Sequence, residues 1–447
     1  MKYIAFLLAL LGGVPVLTML SIGSQKRRGQ ILAVLAASAV LGDATGVNFF
    51  STESYRGPDR GFEVTLTDLL ALSLLGTLLL KDSARVKWVP TNTIPMAMLY
   101  VCGFISLLDA SAPLLSAFTL FKGVRLYILY WTVYNTIATG TDIAWLRRGL
   151  VAAGLWMSLF AVKQKYLEGL YRIHGTFDHS NGVPLYSNLV IPFLLMTAVS
   201  DRRLDRREAL ATLAAALGLV FSVVTTQSRA GTILSGGLVL GTLLVASWKA
   251  PSRRVTRVSW AVMLLLGVGG AMAADTIIRR FQEAPESSEQ AREEFNAAAL
   301  DMARDHPTGV GLNNFSRALT ENEGYRSHLE VMKGEEQGGV AHHIYLLTAA
   351  EMGWYTLAVF VLALGRFWAV SLWSGFFTKG LDGGIQLAFC FGATALHAQG
   401  TLEWGFRVTP IVYQFLILAG AAMAHAAGLR KAAAHAPRAK SRKATAK

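Results

Sequence analysis

Apolar blocks of bilayer-crossing length follow one another from Tyr3 to Gly428. A helix that crosses a bilayer needs ~20 mostly apolar residues, and the chain offers about a dozen such blocks. A soluble chain of 447 residues would instead fold as two or three domains, each needing a polar exterior. Only 16% of the residues are charged, against ~25% in an ordinary soluble domain. That is too few to cover such exteriors. The pattern predicts an all-α polytopic membrane protein with about 12–13 transmembrane helices.

The formal net charge of +13 has its source in Lys/Arg-rich loops rather than in a nucleic-acid surface, and no nucleic-acid partner is expected. Basic clusters stand at Lys26-Arg27-Arg28, at Lys81, Arg85 and Lys87, at Arg147-Arg148, at Arg202-Arg203 with Arg206-Arg207, and at Lys249, Arg253, Arg254 and Arg257. The tail beyond Gly428 adds seven more and no acid. Such segments belong on the cytoplasmic side. The alternating loops, residues 51–61, the turn at Ser111-Ala112, 168–182, 227–230, 277–341 and 403–407, then face outward. This parity gives thirteen spans with the N-terminus outside, or twelve if the first block is interfacial or re-entrant. The C-terminus is inside in both cases.

The first block, Met1 to Ile22, resembles a leader, but no small-residue cleavage site precedes Ser24-Gln25-Lys26, so a retained helix is expected. Cys102 and Cys390 sit inside apolar blocks without metal-ligand neighbours, which argues against a disulfide framework or zinc site. The expected organisation is ten transmembrane helices over 1–275, an extracytoplasmic cap over 276–341, three further helices over 342–428, and a disordered basic cytoplasmic tail over 429–447.

The cap differs from every other loop. Residues 277–341 hold twelve Asp/Glu against seven Lys/Arg, the reverse of the whole chain, and are long enough to fold by themselves. From Ser287 to Arg304 a serine N-cap and early acids precede Phe295, Ala298, Ala299 and Met302 at helical spacing. This predicts an amphipathic helix, followed by the turn-rich stretch 306–315. Function is expected on the outer face.

Three outward stretches concentrate polar residues where lipid would not tolerate them: residues 171–184 with Arg172, His174, Asp178, His179 and Asn181; residues 225–231 with Arg229; and residues 338–353, where His342 and His343 open a span and Glu351 follows nine residues on. An ionisable residue at a membrane boundary is costly and points to a polar cavity. Each also has a plainer reading. Arg229 can snorkel to headgroups, the two histidines can cap a helix, Arg172 can be a solvated loop cation, and Glu351 can bond a neighbouring helix. His174 and His179 lack a third ligand for a metal. As a set, arginines with one or two histidines suit an anionic, phosphate-containing substrate, with a neutral histidine accepting the proton of an attacking hydroxyl. No P-loop, dinucleotide fingerprint or nucleophile elbow is present, and no outer acidic pair of the kind that holds Mg²⁺ stands out.

These residues resemble the O-antigen ligase and O-antigen polymerase superfamily of bacterial inner-membrane glycosyltransferases. The stretch 172–181 resembles the family's Arg-x-x-Gly-x-Phe-x-x-x-Asn pattern, and Ser228 to Gly231, Arg292 and the stretch 305–315 follow in order. The stretch 341–356 resembles the family's His-Asn, nine residues, Gly-x-x-Gly pattern, with His342 as the histidine, Glu351 as the usual acid and Gly353 as the first glycine. The chain departs from it at His343, where Asn is commoner, and at Thr356 in place of the second glycine.

The resemblance implies a GT-C-like architecture and a metal-independent, cofactor-free transfer of a glycan from an undecaprenyl-diphosphate carrier. The acceptor is a hydroxyl on lipid A–core or on another carrier-linked glycan. It implies His342 as general base and Glu351 as a second catalytic residue. Arg229, Arg292 and, less directly, Arg172 would bind the diphosphate, with Asn181 and His343 as further substrate contacts. The rival class is a solute transporter using Asp43, Asp68 and Asp109 as an intramembrane proton relay.

Overall fold

The structure, a computed structural model, describes residues 2–282, 286–330 and 338–435; within these, the side chains of residues 42–43, 272–273, 275–282, 286–288 and 435 are left out of the description. Of the expected disordered tail over 429–447, residues 429–435 are helical, and the rest, with the Asp43 side chain and the Ser287 cap, lies outside the described residues.

The chain opens with α1 (Lys2–Ile22) and α2 (Gln25–Ser38). A short antiparallel hairpin follows, β1 (Val47–Ser51) and β2 (Gly61–Val64), the only sheet among the described residues. Then come α3 (Leu66–Lys81), α4 (Thr93–Ile105), α5 (Pro113–Ala138) and α6 (Ala144–Val162). Next are α7 (Gly182–Ser200), α8 (Arg206–Thr225), α9 (Arg229–Lys249) and α10 (Arg253–Gln282). The cap contributes α11 (Glu286–Asp305), α12 (Phe315–Glu321) and α13 (Glu323–Arg326). The chain returns through α14 (Ile344–Phe377), α15 (Gly380–Gln399) and α16 (Thr409–His435). This is an all-α polytopic membrane protein.

Local chemistry sets several helix starts. The Ser24 hydroxyl accepts from Arg27 N at 3.5 Å, the Asp205 carboxylate from Glu208 N at 2.8 Å, and the Ser228 hydroxyl from Gly231 N at 3.4 Å. Each satisfies a backbone donor that a helix leaves unpaired in its first turn. At the centre, α7 is apolar on every side and wholly buried, packed against α8, α9, α15 and α16. A helix without a polar face has to be wrapped in this way.

Among the described residues, six helices are long and apolar enough to cross a membrane: α1, α7, α8, α9, α14 and α16. The expected twelve to thirteen spans are thus not all of this kind. Several of the others are interrupted by charge that the bundle neutralises internally. Lys122 and Arg125 on α5 are buried, Lys122 pairing with Asp59 at 2.8 Å and Arg125 with Asp68 at 3.5 Å. Arg28 on α2 pairs with Asp82 at 2.8 Å, and Arg147 on α6 with Glu208 at 3.5 Å.

The cap helix α11 buries Ala291, Phe295, Ala298, Ala299, Met302 and Ala303, the face its periodicity predicts, and packs them on α14. Trp354 Nε1 donates to Ala303 O at 3.0 Å across that contact. The preceding α10 runs on to Gln282, past the expected cap boundary at 276.

Removing one partner of a buried ion pair strands the other charge. Lys122→Met should lower stability by ~3–5 kcal/mol. Adding Asp59→Asn should recover most of the loss. Thermal unfolding of the detergent-solubilised protein reads both, and equal melting of the single and double variants would refute the pairing.

Candidate functional site

Glu403 gathers the site. It is buried in the turn after α15, and its two carboxylate oxygens accept from three separate segments. His342 Nδ1 donates to Oε2 at 3.2 Å, and Arg292 Nη2 to Oε1 at 2.9 Å. Asn181 Nδ2 also donates to Oε1. Behind Asn181, Arg172 Nη2 donates to its Oδ1 at 3.3 Å while Arg172 Nε donates to Thr226 O at 3.0 Å. Arg172, Asn181, Arg292 and His342, from three separate segments, thus form one network.

The loop that carries Arg172 and Asn181 is tied down by Gln164. Its Oε1 accepts from His174 N at 3.1 Å and Gly175 N at 2.8 Å, and its Nε2 donates to Gly175 O at 2.8 Å. Gly175 has φ +62°, and a Cβ there would strike Met157 and Val183. His174 Nδ1 donates to Phe177 O at 2.7 Å, so this histidine shapes the loop. Among the described residues no group of three or more His, Cys, Asp or Glu side chains is set to hold a metal ion.

Burial alone would raise the Glu403 carboxyl, but the hydrogen bond and charge of His342, with Arg292 and His179, hold it below the usual carboxylate range. Burial lowers His179, and Arg172, His342 and Arg292 push it down further against the pull of Glu403. His179 therefore belongs to the same electrostatic cluster.

The two adjacent histidines part company. His343 is the N-cap of α14: its Nδ1 accepts from Leu346 N at 3.3 Å, its ring lies against Tyr345, and burial lowers its pKa. That is a structural role, the helix-capping reading of this residue. His342 stands just outside the helix, bonded through Nδ1, and lines the adjoining cavity.

Glu351 is fully buried and pairs with Arg407. It lines neither cavity described below. The ion pair favours the plainer of the two readings of this residue, a bond to a neighbouring segment. The neighbouring Gly353 breaks α14 with φ +82°, and its backbone lies against Pro307 O. Arg229 is half-buried in the first turn of α9 and makes no ion pair among the described residues. It follows closely on Thr226, the carbonyl that Arg172 holds.

Of the relay aspartates, Asp68 is buried and committed. It accepts from Thr65 N at 2.8 Å and from Tyr413 OH at 2.7 Å. Asp109, in contrast, is exposed.

A polar cavity of about 980 Å³ adjoins the cluster, lined by His342, His179, Asn181, Glu403 and Trp404 and, elsewhere on its wall, by the β1–β2 hairpin with Lys122, Arg125 and Arg407. This is the upper end of the ~300–1,000 Å³ typical of small-ligand sites. A second, apolar cavity of about 450 Å³ lies among α4, α5, α14 and α16 and shares Asp59, Lys122 and Arg407 with the first. Glu403 and the Asp59–Lys122 pair were missed in the sequence. The turn 403–407 is legible as an outward loop, but one acid in a short turn carries no motif.

Residues 213–361 match the family model described as O-Antigen ligase. That stretch holds Arg229, Arg292, the loop 305–315 and the motif from His342 to Thr356, and it bears out the superfamily resemblance. Arg172, Asn181 and Glu403 lie outside it. No curated protein matches the chain.

If Glu403 orients His342, Glu403→Gln should lower turnover by roughly 10²–10⁴-fold, the span for losing an orienting carboxylate or the base itself. Unchanged turnover would separate the two residues. The sign of the pH effect follows from the lowered carboxyl. Its stabilisation is complete above the unperturbed 4.5 and is lost as pH falls through the lower folded value. The melting temperature of the wild type, taken relative to Glu403→Gln, should therefore drop only below that pH.

Proposed function

We propose that this chain, a membrane glycosyltransferase of the O-antigen ligase and polymerase type, moves a glycan from an undecaprenyl-diphosphate carrier to a sugar hydroxyl on lipid A–core or on another carrier-linked glycan. The observation that carries this reading is the Glu403 cluster: a histidine at the wall of a large polar cavity, held by a buried carboxylate that also binds Arg292.

The chemistry follows from the atoms. With its Nδ1–H donated to Glu403, the His342 ring keeps Nε2 free to accept a proton. The acceptor hydroxyl gives its proton to Nε2 as its oxygen attacks the anomeric carbon. The bond from that carbon to the phosphate oxygen breaks, and the electron pair leaves with the diphosphate. Charge develops on that leaving group, and fixed guanidinium donors stabilise it there. Arg292 and Arg229 take this role, with Arg172 holding the loop and the rim of the site. The arginines supply the positive charge that a metal would otherwise bring, so transfer should survive chelation by EDTA.

In this reading the Glu403 end of the bundle is extracytoplasmic, the protein sits in a bacterial inner membrane, and the basic tail is cytoplasmic. The loops read as outward-facing support it by gathering at one end: residues 48–61, 176–182, 339–342 and 403–410 contribute to one cavity, and Ala112 N donates to Asn314 Oδ1 at 2.9 Å. Single cysteines at Ser287 and Ser441 should therefore label from opposite sides of the membrane. Labelling from one side would overturn the orientation.

The base itself gives the sharpest test. His343→Asn should retain activity, since Asn also caps a helix. His342→Asn should lose ~10²–10⁴-fold in turnover with donor binding kept, because the arginines remain. Assays of the purified variants with one carrier-linked donor and one acceptor decide it. An inactive His343→Asn with an active His342→Asn would move the base by one residue.

A further inference from the structure

The β1–β2 hairpin takes no part in the chemistry above, yet it lines the same cavity as His342. A lone two-stranded hairpin is marginal in water, so its position here needs a cause. One cause is apolar. Side chains alternate across a strand. Phe49 sets its ring 5.2 Å from Phe6, and Phe62 sets its ring 4.9 Å from Phe118 and 5.4 Å from Phe121. That face is anchored on α1 and α5. Asn48 and Glu63, directly paired across the strands, line the cavity instead, with the exposed Arg60 beyond them.

The other cause is a clamp at the tip. Asn313 has φ +60°, and its side chain serves both polar groups of the Asp59 backbone: Oδ1 accepts from Asp59 N at 3.3 Å, and Nδ2 donates to Asp59 O at 2.8 Å. Tyr55 OH donates to Asn313 O. The Asp59 carboxylate pairs with Lys122 and accepts from Thr119 Oγ1 at 2.5 Å. Burial would raise that carboxyl, but Lys122 and Arg407 hold it below the usual range. A short hairpin held this firmly is a rigid wall, the kind of support a selective contact requires.

Among the described residues, Arg172, Arg229 and Arg292 do not line the cavity. The proposed diphosphate ligands thus leave this volume to the other substrate. Its open wall mixes both charge signs with amides and hydroxyls, and Trp404 adds an indole beside Glu403. Such a wall suits a hydroxyl-rich chain, with hydrogen bonds for orientation and an aromatic face for contact area.

We infer that the β1–β2 hairpin is the acceptor-reading wall: Asn48 and Arg60 hydrogen-bond the acceptor glycan, Trp404 packs on a sugar ring, and the attacking hydroxyl is thereby presented to His342. This rests on the glycan-transfer reading for the identity of the reaction, but glycan binding is measurable without turnover.

Full-length protein in nanodiscs is probed on an array of lipid-free bacterial oligosaccharides, as wild type, as Asn48→Ala/Arg60→Ala and as Arg229→Ala. The wild type should retain a subset of glycans. The hairpin variant should bind that subset at least ~10-fold more weakly, as expected for losing a hydrogen bond to a charged group. Arg229→Ala should bind it as the wild type does. No bound glycan, equal binding by the hairpin variant, or an equal loss in Arg229→Ala would each overturn the inference. A parallel transfer assay separates the two readings. If the hairpin variant raises KM for the acceptor alone, both stand. If transfer proceeds with that KM unchanged, only the wall falls. If glycans bind through the hairpin but nothing is transferred, the wall stands and the proposed reaction falls.

Discussion

A carboxylate shut away from water has to be neutralised by partners fixed around it, because desolvation costs several kcal/mol per ion. Glu403 meets that demand with a histidine, an arginine and an amide from three different segments. The demand therefore does structural work beyond its own turn. It ties the cap helix α11, through Arg292, to the end of α15, and it pulls the loop before α7, through Asn181, to the start of α14. It also leaves Arg292 already occupied. In the proposed reaction, an arriving diphosphate would compete with Glu403 for that guanidinium.

The same constraint explains why the hydropathy of this chain understates its bundle. The α5 segment is 26 residues long, ample to span, but Lys122 and Arg125 lower its apolar character. Neither charge meets lipid. Asp59 and Asp68 reach them from the hairpin tip and from α3, and Tyr413 on α16 bridges Arg125 and Asp68. Glu351 and Arg407 repeat the solution between α14 and the turn before α16. Charges within a span usually mark function. Here Lys122, Arg125 and Arg407 are spent on Asp59, Asp68 and Glu351.

The sequence was informative where a pattern is local. The periodicity of Phe295, Ala298, Ala299 and Met302 foretold the buried face of the cap helix, and the four motif residues Arg172, Asn181, Arg292 and His342 meet around Glu403. It was uninformative where a role depends on a partner far along the chain. Glu351 matched a motif position but is claimed by Arg407, fifty-six residues away. Glu403 matched nothing, because its importance comes from three donors that only folding brings to it. His343 is the intermediate case. Capping was among its possible readings, and the bond from Leu346 N selects it.

The spacing between His342 and Gly353 acquires a physical meaning in the fold. Gly353 leaves helical geometry at φ +82°, which frees backbone carbonyls in the turn before it. The cap loop takes them up: Val310 N donates to Ala350 O at 2.9 Å and Gly311 N to Glu351 O at 3.0 Å. Positive φ at Gly309 and Gly311 lets that loop approach so closely, and a Cβ at Gly309 would strike the Glu351 backbone. The helical segment between the N-cap and this break is thus fixed at both ends. At 1.5 Å per residue its nine residues span ~13 Å. The motif spacing is the length of a strut that sets how far His342 stands from the point where the cap is bolted down. An insertion or deletion within it would rotate His342 by ~100° about the α14 axis, away from Glu403, while the loop and the break stayed in place.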